Sequence, residues 1–253
     1  MLITLENNQF TAEISTKGAE LQKLIHKSDY RDIIWQGDKS VWGNHAPILF
    51  PFVARSLGGH FMIDGTKCEY TRNHGFARDL EWKCLEQKAD SAVFELTQSQ
   101  DTLYRFPYDF SVKTEYALTE KGLDWKIIVK NTGNKVFRFG VGTHAAFSMN
   151  GSPEEGFIVE FEKKEPLSAI LCNPDGYLKA DADGSVPILQ LYGEENPGLV
   201  PVTSAGSPQF VYIEPWHGLP DAENIDHLWQ NKLSLNELQP GKYFTCEQNS
   251  RVE

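Results

Sequence analysis

A chain of 253 residues with 40% hydrophobic content can bury a substantial core, as one large β domain or two small ones, and one domain is the simpler expectation. A formal charge of -11 and a pI near 5.1 argue against wrapping nucleic acid, which needs Lys and Arg clustered on one face. No secretory apolar core follows Met1 and no run is long enough to span a bilayer, so a cytoplasmic protein without membrane contact is expected.

Gly, Pro, Asn or Asp punctuates the chain about every ten residues, and the runs between are rich in alternating aromatic and β-branched residues. The predicted strands are Leu2–Leu5, Phe10–Ile14, Ala92–Thr97, Phe110–Leu118, Leu123–Asn131, Phe137–Val141, Gly156–Phe161, Gln209–Ile213 and Tyr243–Gln248. Within the fifth, Trp125, Ile127 and Val129 share one face and Lys126, Ile128 and Lys130 the other, the pattern of a half-buried strand. Helical signals are few: Asp221-Ala222-Glu223-Asn224 reads as a short turn, and the Pro and Gly density forbids long helices. Lys179 to Ser207 reads mostly as loop, with one candidate element at Val186–Tyr192. So many strands imply an all-β fold, a large antiparallel β-sandwich with both sheets over one apolar core.

Cys68, Cys84, Cys172 and Cys246 are scattered, with no C-x-x-C pair and no Cys/His cluster at zinc spacing, so neither a metal site nor a disulfide framework is expected. The chemistry instead points to His74, His144 and Glu214, each placed where a β-type run meets a glycine-marked break. A neutral imidazole and a carboxylate converging from different strands can exchange protons with one small polyhydroxy molecule, with no cofactor.

Each residue also has a plainer reading. His74, in Asn73-His74-Gly75, fits an ordinary turn. His144 lies between Val141-Gly142-Thr143 and Ala145-Ala146, small neighbours that leave room either for a ligand or for a structural hydrogen bond. Glu214 ends the apolar run Phe210-Val211-Tyr212-Ile213, and Pro215 stops the ladder at once. A carboxylate held there beside Trp216 is partly desolvated and its pKa rises, whereas a solvated strand end would leave it ordinary. Trp216 either stacks on a sugar face or fills core. Arg55 closes the apolar segment Pro47–Ala54 and needs an acceptor, which sugar hydroxyls, Glu214 or a structural ion pair would supply. Arg78 closes His74-Gly75-Phe76-Ala77, either to hold that loop or to meet an anionic substrate group.

Taken in order, Pro47-Ile48-Leu49-Phe50-Pro51 with Arg55, His74-Gly75-Phe76-Ala77-Arg78, Gly142-Thr143-His144 and Glu214-Pro215-Trp216-His217-Gly218 resemble the aldose 1-epimerase (galactose mutarotase) family, in its LacX-like branch. Thr16–Leu21 and Asp32-Ile33-Ile34-Trp35 fit the same branch. The resemblance implies a galactose mutarotase-like supersandwich as a single domain over 1–253. It further implies Glu214 taking the anomeric proton, His144 protonating the ring oxygen, His74 orienting the sugar, and Arg55 contacting hydroxyls or the carboxylate. It breaks between Lys179 and Leu199, where this chain is shortened around 180–199 and neither Asp181 nor Asp183 is assigned as the sugar-binding aspartate of that branch.

The resulting expectation is a cofactor-free, metal-free mutarotase interconverting the α and β anomers of an aldohexose. The alternatives are a hexose-6-phosphate 1-epimerase, for which Arg78, Arg72 and Lys67 would furnish a basic pocket, and a non-catalytic carbohydrate-binding or sensing protein. The oligomeric state is left open, with a homodimer among the options.

Overall fold

The computed structural model describes residues 1–148, 167–170, 188–191 and 210–252. Antiparallel strands dominate. Leu2–Glu6, Phe10–Ser15, Leu21–His26 and Arg31–Asp32 form one sheet in chain order. A five-stranded sheet runs Tyr243–Arg251, Gly122–Asn131, Phe110–Thr119, Ser91–Thr97, Lys83–Gln87. Register there follows from the pleat: Trp125 faces Tyr116, Ile127 faces Thr114 and Val129 faces Val112, so the buried alternation predicted for this strand coincides with its neighbour's.

Several elements escaped the sequence pattern. Phe137–Val141 divides into Phe137–Phe139, paired with Asn236–Leu238, and Val141–Thr143, paired with Trp216–His217 and Ile48–Leu49. Gly140 marks the division: its N–H donates to Pro51 O at 2.6 Å, and it packs against the Phe52 and Val53 backbone. Short strands such as Ile48–Leu49 are too brief to show a period. Gln100–Arg105 is a single short α-helix, started by a capping box in which Ser99 and Thr102 exchange side-chain and backbone bonds. The expected turn at 221–224 forms, closed by Ile225 N–H donating to Ala222 O. The predicted strand Gly156–Phe161, Cys172 and most of Lys179–Ser207 lie outside the described residues, although Ile188–Leu191 is a strand paired with Leu167–Ile170.

One aromatic hub fixes the frame of the site. The Phe50 ring packs on Phe76, Phe106, Phe110 and Phe139 with centroids 5.0 to 6.1 Å apart, and all five rings are buried. Each such ring removes a large apolar area from water and adds edge-to-face attraction. Phe50 and Phe76 flank the chain segments that deliver His74, so the histidine's turn is anchored on this buried aromatic cluster.

Candidate active site

Two short ladders share one register. Ala145–Ser148 pairs with Phe210–Ile213 so that Ala145 faces Ile213, and Val141–Thr143 pairs with Trp216–His217 so that Gly142 faces Trp216. Carrying this register across the gap sets His144 opposite Glu214 and Thr143 opposite Pro215. Proline has no N–H to give, so the ladder opens there, and the opening leaves the imidazole and carboxylate side by side. His144 Nε2 lies 3.2 Å from Glu214 Oε2. Gly142 allows the close approach, since a Cβ there would stand 2.7 Å from Pro215 O.

His74 arrives from another direction. Its backbone is left-handed at φ +69 and is followed by Gly75 at φ +73, where a Cβ would lie 2.2 Å from Phe50 O, so glycine is required. The Ala54 N–H donates to His74 Nδ1 at 2.9 Å, and the His74 N–H donates back to Ala54 O at 2.9 Å. With Nδ1 committed as acceptor, the proton of the neutral ring resides on Nε2. The His74 ring meets His144 edge-on with centroids 5.2 Å apart and Trp216 at 5.5 Å.

Burial sets the protonation of this cluster. Desolvation, with the charges of His144 and Arg78 adding to it, lowers His74 to about 3. His144 is lowered to about 4, by burial first and then by the Arg78 charge. Glu214 moves the opposite way, raised by burial to about 7. An acid made stronger and a base made stronger thus stand in contact, the arrangement that divided environments impose on paired catalytic groups.

The remaining sequence candidates divide. Trp216 borders both histidines, with centroids 5.5 Å from His74 and 6.5 Å from His144, and its buried Nε1 has no hydrogen-bond partner among the described residues. Arg78 is half-buried, donates to Asn44 Oδ1 at 3.2 Å and imposes its charge on both imidazoles. Arg55 does not reach Glu214: Ala54, left-handed at φ +60, ends the buried run and turns Arg55 outward, where it is exposed. The carboxylate's close neighbour is His144 instead. Sequence reasoning passed over Trp42, whose ring stacks on His144 at 5.1 Å and 23°, and gave no site role to Trp35, whose Nε1–H holds Trp42 O at 2.8 Å. The available signal was a tryptophan stranded in the polar loop Gly37–Asn44, where no core demands one. Among the described residues no three His, Cys, Asp or Glu side chains gather into a metal-binding group, and no helix is long and apolar enough to cross a membrane.

An antiparallel all-β sandwich of this kind belongs to the galactose mutarotase-like class of folds. A galactose mutarotase-like protein from Lactobacillus casei ATCC 334 matches it with a TM-score of 0.79 and 25% identity, covering 98% of each chain. A galactose mutarotase related enzyme from Lactobacillus acidophilus matches with a TM-score of 0.81 and 24% identity, over 98% of this chain and 95% of that one. The chain belongs to the aldose 1-epimerase family, which it matches over residues 1–165, and so to a group of carbohydrate isomerases. Among curated relatives, protein LacX of Lactococcus lactis subsp. lactis, chromosomal and plasmid forms alike, is 23% identical over 288 aligned positions, with 95% of each chain covered. Since 288 positions exceed the 253 residues of this chain, the alignment opens gaps in it.

Proposed function

We propose that the protein is a mutarotase for an unphosphorylated aldohexose, with Glu214 as base, His144 as acid and His74 as a hydrogen-bond donor to the sugar. The observation that carries this reading is the 3.2 Å contact between a carboxylate raised to about 7 and an imidazole lowered to about 4. Between those values the pair holds one proton, and one proton is the inventory that ring opening needs.

At rest the shared proton sits on Glu214; in the working form, the minor arrangement of that one proton, Glu214 is ionised and His144 is the imidazolium. The sugar enters between them, because each group must come within about 2.6–3.2 Å of its own substrate oxygen, and their mutual contact lengthens. Glu214 takes the proton from O1–H, the C1–O5 bond breaks as C1=O1 forms, and His144 gives its proton to O5. The pair is then neutral. After rotation about C1–C2 the proton on O5 returns to His144, O5 attacks the other face of C1, and Glu214 returns its proton to O1. His74 Nε2–H is free to donate to the sugar, its tautomer held by Ala54.

Charge favours a neutral sugar over a phosphorylated one. Of the three basic residues the sequence offered, Arg72 is paired with Asp79 at 2.5 Å and Lys67 with Glu69 at 2.8 Å, which leaves Arg78 as the one positive charge of the three beside the imidazoles. The test is polarimetry on freshly dissolved glucose and galactose. The expected result is a first-order decay faster than in buffer and insensitive to inorganic phosphate; no acceleration with either sugar would defeat the proposal.

A further inference from the structure

The structure holds a buried ion pair that the acid–base reading does not use. Asp221 and Lys232 are in contact, Oδ1 to Nζ, at 2.5 Å, and both side chains are wholly excluded from solvent. Lysine and aspartate are almost never so deeply buried unless paired, and a pair of this kind is often replaceable by apolar residues with no loss of stability. Its contacts suggest what it does instead.

Every polar atom of the pair is spent on two loops. Asp221 Oδ2 accepts the Leu57 N–H at 2.7 Å, and the Asp221 N–H reaches Arg55 O at 3.4 Å. Lys232 Nζ donates to Leu219 O at 2.9 Å and lies over the Phe52 and Phe61 rings, 6.0 and 5.5 Å from their centroids. One loop, Ala54 to Leu57, begins with the left-handed Ala54 whose N–H fixes the tautomer of His74. The other, Leu219 to Asp221, follows the Glu214–Gly218 segment directly. A left-handed alanine is strained and persists only where its surroundings impose it.

Resting on the mutarotase reading above, we propose that Asp221 and Lys232 are positioning residues, a buried clamp that joins the loop bracketing His74 to the loop leaving Glu214 and so keeps His74 Nε2–H aimed at the substrate. Neither touches the sugar. They act through the Leu57 and Arg55 backbone, and Ala54 passes the constraint to the imidazole.

The test replaces the pair by residues of similar shape, Asp221→Leu together with Lys232→Met, and reads the His74 ring by long-range 15N–1H NMR, assigned through His74→Gln. In the wild type a single tautomer protonated at Nε2 is expected. In the folded double variant that signal should move to the averaged position of two tautomers, while kcat falls on the order of a hundredfold with KM changing far less. An unchanged His74 signal in a folded double variant would overturn the proposal. Should the variant not fold, hydrogen exchange on the wild type decides: the Ala54 and Leu57 amides should show protection equal to within about tenfold, as one opening unit. Exchange at Ala54 a hundredfold or more faster than at Leu57 would show that the turn opens without the clamp. A wild type that does not accelerate mutarotation would defeat the sugar reading alone, since tautomer and exchange are read without substrate.

Discussion

His144 and Glu214 face each other across the break in an antiparallel register that pairs Ala145 with Ile213 on one side and Gly142 with Trp216 on the other. Pro215 makes the break, and both side chains at the break have displaced proton affinities. A ladder defect and a reactive pair are here the same feature.

The pair should give a bell-shaped pH profile. Below about 4 His144 and Glu214 are both protonated and no base remains; above about 7 Glu214 has lost the shared proton and no acid remains. Polarimetric kcat/KM measured across that range should plateau between the two limbs, and the alkaline limb should vanish from the residual rate of Glu214→Gln.

His74 makes the fold acid-sensitive. Its folded pKa of about 3 lies below the unfolded value of 6.5, so the unfolded chain binds its proton first, and stability present above pH 6.5 is lost as pH falls toward 3. Unfolding free energies from urea titrations at pH 7 and pH 4 should differ less for His74→Gln than for the wild type, by on the order of a few kcal/mol.

Gly75→Ala should be among the costliest single-methyl additions in the chain. The new Cβ would stand 2.2 Å from Phe50 O on a backbone at φ +73. A loss of about 2 kcal/mol or more is expected, read as a lowered thermal midpoint, since neither the aromatic hub nor the turn has slack.

Trp42→Ala should return His144 toward ordinary behaviour. The indole covers one face of the imidazole, and burial is the main cause of the lowered pKa. NMR titration of His144 should show its pKa rising from about 4 toward 6.5 in the variant, and the acid limb of the rate profile should rise with it.

The sequence revealed the sheet-forming runs wherever alternation lasted six residues or more, as at Phe110–Thr119 and Gly122–Asn131. It concealed the two-residue strands at Ile48–Leu49 and Trp216–His217, because pairing partners distant in the chain create them, not local pattern. At the site, Pro215 announced the end of a ladder, and Gly75 announced a turn. The outward turn of Arg55 was hidden: left-handed alanine has no compositional signature, and only the bonds from Ala54 to His74 and from Leu57 to Asp221 explain it. Trp42 was hidden for a similar reason, since nothing local says that its loop folds over His144.

The central claim is that Glu214 and His144 work as one unit on a sugar hemiacetal, and a double-mutant cycle in the polarimetric assay tests it most directly. Glu214→Gln and His144→Asn should each lower kcat by roughly 10²- to 10⁴-fold, and the double variant should lose little more than either alone, because one missing partner already disables the shared proton. Losses that multiply, or a Glu214→Gln rate equal to that of the wild type, would contradict the account.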